Sequence, residues 1–311
     1  MAKKGAAKTS SASLGKRMWK NRELYILVLP VVIYFLLFQY KPMLGLIIAF
    51  EENYNPRKGY FGSGFVGFKH FYDFFTSHFF VSRVWNTLKI SLTTLVLGFP
   101  APILFALLMN ELRGKWFPRV VQTVTYMPHF ISMVVLCAMI REFVESGGFI
   151  NQFATLFGYD GANMLNKSEL FLPIYVISNI WQGMGWGSIV YLAALTSIDM
   201  QLYEAAKIDG AGRWKQTLHV TIPAILPTIV TMFIMRCGQI MSVGYEKIIL
   251  LYNESTREAA DVISTYVYRL GLVNRQYSYS TAVGLFNSVI NFVLVIMANA
   301  ISRRLSETSL W

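Results

Sequence analysis

Apolar residues in this chain come in long runs rather than in the alternating or every-third patterns of a water-soluble fold. Six runs stand out, at residues 24–50, 86–110, 119–143, 170–195, 222–244 and 281–302. Each reaches the roughly 20 residues that a helix needs to cross about 30 Å of hydrocarbon. Helix is the choice at this length, because every backbone polar group must be paired within its own segment and the runs are far too long for barrel strands. The pattern predicts an all-α membrane protein with six transmembrane helices in one domain, residues 24–302. Three connections, 51–85, 144–169 and 245–280, are long and rich in Tyr, Phe, Gly and Asn, as suits loops packed at an interface. Residues 259–270 repeat apolar positions at helical spacing, which predicts an amphipathic helix on the outer side.

Composition agrees. Of 311 residues, 54% are hydrophobic and 14% charged, against about 25% charged in a soluble domain. The net charge of +11 lies where topology needs it. Lys3, Lys4, Lys8, Lys16, Arg17, Lys20 and Arg22 precede the first run, in a polar segment 1–23 that reads as a disordered cytoplasmic tail. Arg113, Lys115 and Arg119 follow the second run; Lys207, Arg213 and Lys215 follow the fourth; Arg303 and Arg304 open a short tail, 303–311. With six spans these segments share one side, which the positive-inside rule makes the cytoplasm, with both termini there. No basic–aromatic module accompanies the charge, so no nucleic-acid partner is expected. The first run is too long for a signal-peptide core and reads as an anchor in membrane lipid. Cys137 and Cys237 lie inside apolar runs and read as small buried hydrophobes.

No GxxxxGK[ST], HExxH, paired CxxC or GxSxG occurs, and His70, His78, His129 and His219 are dispersed. The chain therefore reads as no enzyme, holding no cofactor or metal of its own. Asp and Glu are missing from the centres of the runs, which argues against an ion-coupled carrier, because such carriers bind their ion at a buried carboxylate. If the chain moves a solute, a partner supplies the energy.

One polar segment, 199–223, is patterned. Asp199 is placed to cap a helix through Ile208. Glu204-Ala205-Ala206 gives that helix a carboxylate beside a smooth surface. Gly210 and Gly212 allow a sharp turn after Asp209. A short helix follows from Arg213 to Val220, and Pro223 suits the first turn of the next span. The spacing resembles the EAA signature of ABC importer permeases: Glu-Ala-Ala, three residues, Gly, nine residues, then an apolar-x-apolar-Pro, here Val220-Thr221-Ile222-Pro223. Most of the chain shares the likeness. Asn86-Thr87-Leu88, the run from Gln122 to Phe130, Tyr191-Leu192-Ala193-Ala194-Leu195 and the run from Glu246 to Asn253 resemble the carbohydrate-uptake branch related to maltose permeases, above all its Lpl-type polysaccharide and oligosaccharide members. Met200 departs from the proline that many sugar permeases carry there.

The resemblance implies a type I ABC importer permease fold with a cytoplasmic EAA coupling helix, set in a bacterial plasma membrane. Glu204, Ala205, Ala206, Asp209 and Gly210 would then dock on a cytosolic ATPase, which itself binds ATP and Mg. The implied partners are two such ATPase subunits, a second homologous permease and an extracytoplasmic sugar-binding (lipo)protein. The implied cargo is a sugar, best a complex oligosaccharide, with a solute such as glycerol phosphate as the alternative.

A sugar path needs rings to stack on and hydrogen-bond partners for hydroxyls. Asn179, Gln182 and Trp186 share one helical face in the fourth run, beside Trp181, Gly183, Gly185 and Gly187. Arg236 and Gln239 are near neighbours in the fifth run, and Asn287 and Asn291 are one turn apart in the sixth. Tyr126 and His129 flank Pro128, a predicted kink. Gln182, Trp186, Arg236, Gln239, Asn287, Asn291 and Tyr126 are therefore the candidate path residues, with interhelical hydrogen bonding and packing as the alternative role for each.

Overall fold

The computed structural model describes Trp19, residues 21–112, Gly114 and residues 116–305. Lys3, Lys4, Lys8, Lys16, Arg17, Lys20, Arg113, Lys115 and the tail 306–311 lie outside the described residues. Within them the regular structure is helical, joined by one isolated antiparallel bridge between Glu51 and Phe65. In chain order the helices are α1 (Arg22–Phe50), α2 (Lys69–Thr76), α3 (Phe79–Glu111), α4 (Trp116–Phe130), α5 (Met133–Val144) and α6 (Phe149–Thr155). They continue with α7 (Ser168–Thr196), α8 (Met200–Ile208), α9 (Arg213–Cys237), α10 (Tyr245–Leu251), α11 (Arg257–Ala260), α12 (Ile263–Tyr268) and α13 (Tyr277–Leu305).

Among the described residues four helices, α1, α3, α9 and α13, are long and apolar enough to cross a membrane, or five when α4 and the bent stretch Met133–Thr155 after it are taken as one span. The remaining expected span, α7, runs 29 residues but carries Asn179, Gln182 and a glycine–tryptophan stretch that dilute its apolar character. Its environment explains the dilution. Phe171, Tyr175, Ser178 and Gly185 are buried at alternating steps of three and four residues or their multiple, so protein covers that stripe. At Gly185 a Cβ would lie 2.2 Å from the Thr125 carbonyl oxygen of α4, and only glycine permits this approach. Helix α1 is the opposite case: none of Arg22–Phe35 is buried, and its final segment, Leu44–Phe50, packs on α13.

Three elements differ from their sequence expectation. The run 119–143 is not one straight helix: α4 and the helical stretch from Met133 meet at 103°. Pro128 lies in a tight 3-10 turn, and Ser132 starts α5 by accepting a hydrogen bond from the Val135 amide, so the break has its own cap. The fifth span does not begin at Pro223. It is continuous from Arg213, through a π turn at Thr217–Thr221 that loosens the helix where proline offers no N–H. It ends at Cys237 rather than Gly244, and residues 238–244 form irregular turns. Finally, the amphipathic helix 259–270 is split at Asp261 and Val262. Asp261 is fully buried, with ion pairs to Arg83 (3.0 Å) and Arg269 (2.6 Å).

The largest buried cluster joins α3, α5, α7 and α10 through Ile90, Leu136, Cys137, Phe171, Tyr175 and Ile248. Both cysteines are free thiols and buried.

Candidate functional site

Two regions carry the chemistry singled out in the sequence. The first is the polar elbow. The Asp199 carboxylate accepts a hydrogen bond from the Gln201 amide at 2.9 Å, starting α8 as its residue type predicts. No residue of α8 is buried. Gly210 has φ +75°, in the left-handed region, and a Cβ there would meet nothing within 4 Å. The turn, not a close neighbour, is what requires glycine. Glu204, Ala205, Asp209 and Gly210 are exposed and Ala206 is half-buried, so these residues form one open surface.

Behind that surface the elbow is tied down. The Tyr203 hydroxyl pairs with the Thr221 hydroxyl at 2.9 Å, and the Gln216 side-chain amide donates to the Ala211 carbonyl at 2.7 Å. Arg213 lies 3.6 Å from Glu111 at the end of α3. Elbow and α9 are thereby joined at the π turn, so a push on α8 is delivered to a long helix. Ile208 and Trp214 are 87% and 79% exposed at the elbow.

The second region is a cavity of about 480 Å³ among α3, α7, α9, α10 and the α4–α5 break. Gln182, Arg236 and Gln239 line it, together with Asn179, His129 and Lys247. The other path residues stand elsewhere. Trp186 stacks flat on His129 at 4.6 Å and so backs the wall rather than forming it. Tyr126 is half-buried in α4 outside the lining. Asn291 holds the irregular turns after α9: its side-chain oxygen accepts from the Met241 amide (2.9 Å) and its nitrogen donates to the Ser242 hydroxyl (2.7 Å). The Asn287 side-chain oxygen is buried with no hydrogen-bond partner among the described residues.

The sequence reading missed Lys247. It is 2% exposed, its ammonium donates to the Asn179 side-chain oxygen at 2.8 Å, and it lies over the Tyr175 ring at 5.5 Å. Burial pushes its ammonium down to about 8. The available signal was a single lysine entering the apolar run Ile248-Ile249-Leu250-Leu251. The Arg83–Asp261–Arg269 group was missed too, because its members are 178 and 8 residues from Asp261 in sequence and meet only in the fold.

Residues 98–307 match the family described as binding-protein-dependent transport system inner membrane component. The chain is 43% identical to the polygalacturonan/rhamnogalacturonan transport system permease protein YteP of Bacillus subtilis (strain 168), over 95% of this chain and 92% of that protein. It is 40% identical to Protein LplB of the same strain, over 94% and 92%. A chain of the crystal structure of a bacterial alginate ABC transporter, in complex with alginate pentasaccharide-bound periplasmic protein, is similar at 44% identity and a TM-score of 0.88. That match covers 96% of this chain and all of the other.

Proposed function

The chain belongs to the binding-protein-dependent transport system inner membrane component family, and on that premise we propose that it is the permease subunit of an ATP-driven importer of oligosaccharides. Two of its most similar relatives are named for polysaccharides or their fragments, polygalacturonan/rhamnogalacturonan and alginate, and the amide-rich cavity suits sugar hydroxyls. In this reading the protein crosses a bacterial plasma membrane six times, with α7 and the bent α4–α5 pair each counted as a span. Both termini and the elbow face the cytoplasm, as the basic segments favour.

The observation that carries the reading is the elbow: an exposed helix, a left-handed glycine after it, and hydrogen bonds joining it to a spanning helix. Glu204, Ala205, Ala206, Asp209 and Gly210 dock on a cytosolic ATPase. ATP is bound and cleaved on that partner, and closure of two ATPase subunits rocks α9 against its neighbours. One elbow per chain and two ATPase subunits call for a second, homologous permease. An extracytoplasmic binding protein delivers the sugar to the outer mouth.

Affinity purification from membranes tests this. A stable complex with a Walker-motif ATPase and a sister permease is expected, lost when Glu204→Arg reverses the charge of the docking face. A wild-type chain that purifies alone and transports alone would sink the reading.

A further inference from the structure

The cavity wall holds a cation that the fold leaves without a counter-ion. Lys247 is 2% exposed, yet among the described residues no carboxylate pairs with it. A buried ammonium without an ionic partner is unfavourable, and such a group in a cavity wall marks a candidate ligand site. Among the described residues its one hydrogen-bond acceptor is Asn179, and an ammonium has three donors. The Tyr175 ring supports the charge from one side. Arg236 lines the same cavity and also has no ion pair among the described residues. The one acid in the lining, Glu246, is exposed.

Small anions would underuse this site. Its volume of about 480 Å³ lies in the range that holds ligands of drug size, and Asn179, Gln182 and Gln239 add amides for neutral hydroxyls. Resting on the oligosaccharide-import reading above, we propose that Lys247 reads the carboxylate of a uronate-bearing oligosaccharide, with Arg236 as the second cation of the site.

The titratable and charged groups around Lys247 are Glu246 on its own helix, Cys137 on α5, Tyr175 on α7, Arg236 on α9 and His129 at the α4–α5 break. Of these, Lys247 is the cation that burial pushes down to about 8.

The test uses the purified complex of this chain with its partner subunits, free of binding protein. Trigalacturonate and its trimethyl ester are titrated in parallel, with sn-glycerol 3-phosphate as a third probe. The acid is expected to bind about tenfold more tightly than the ester, the size of one charged hydrogen bond, and this preference should fall as pH rises past 8. Lys247→Gln should remove most of the preference, leaving only what Arg236 supplies, and Lys247→Arg should restore it without the fall near pH 8. Intact assembly of each variant is checked by size-exclusion chromatography; Lys247→Met serves if Lys247→Gln does not assemble. Equal binding of acid and ester by the wild type overturns the proposal while leaving oligosaccharide import standing, as does a preference that is undiminished in Lys247→Gln. Tighter binding of sn-glycerol 3-phosphate than of trigalacturonate identifies a phosphate site and overturns it as well. Failure to bind either oligosaccharide would remove both readings.

Discussion

The elbow and the cavity are built on opposite principles. The elbow is a local device: Asp199, Glu204, Gly210 and Pro223 lie within 25 residues and act through neighbours in sequence, and its surface is open. The cavity is assembled from five parts of the chain, and its most constrained charge, Lys247, is nearly sealed. A partner-facing surface can be written as a motif, because the partner supplies the other half. A ligand-facing wall needs support from residues far away in sequence, so its chemistry is spread over the chain.

This contrast predicts which substitutions damage the fold and which damage only assembly. The largest effect belongs to Asp261→Ala. Removing the shared carboxylate leaves Arg83 and Arg269 uncompensated in a buried setting, at a cost of about 3–5 kcal/mol. Thermal unfolding in detergent should show a lower midpoint. Next comes the proposed docking face. Glu204→Arg should weaken ATPase binding by about 2 kcal/mol or more, the scale of an interface hot spot, while the unfolding midpoint of the permease stays in place because nothing in α8 is buried. If the two substitutions exchanged signatures, the contrast would be false.

Gly185→Val should cost about 1–3 kcal/mol by overpacking, because the new Cβ meets the Thr125 carbonyl and α4 must move. Thermal unfolding reads this loss, and a smaller effect for Gly183→Ala, where a Cβ meets nothing within 4 Å, would sharpen the assignment to close packing. The smallest effect is expected at the link between the regions. Tyr203→Phe removes one hydrogen bond to Thr221, worth about 1 kcal/mol. Hydrogen exchange should rise in α8 and the π turn, with little change near Lys247.

The legible and illegible parts follow the same division. The helical class, and apolar runs corresponding to α1, α3, α9 and α13, were readable because hydrocarbon length imposes itself on every spanning segment. The α8 helix, its Asp199 cap and the left-handed Gly210 were readable because each depends on a few adjacent residues. The 103° break after Phe130 was signalled by Pro128 only as a kink, since the size of a bend depends on what the two halves pack against. The end of α9 at Cys237 was hidden by the apolar residues that continue to Val243; the stop is set by Gly238 against Val295 and by Asn291, which binds Met241 and Ser242. Asn291 had looked like a cavity residue from its polarity and spacing, and spacing cannot tell which neighbour takes its hydrogen bonds. Lys247 was passed over for the converse reason: a charge beside an apolar run looks like a surface end until the fold closes over it.

The most direct test of the account is uptake of radiolabelled trigalacturonate into proteoliposomes holding this chain with the proposed sister permease, ATPase and binding protein. Uptake that requires ATP on the ATPase side, and that is lost together with ATPase docking in Glu204→Arg, is the predicted result. Uptake by this chain without the ATPase, driven by a proton or sodium gradient, would contradict it.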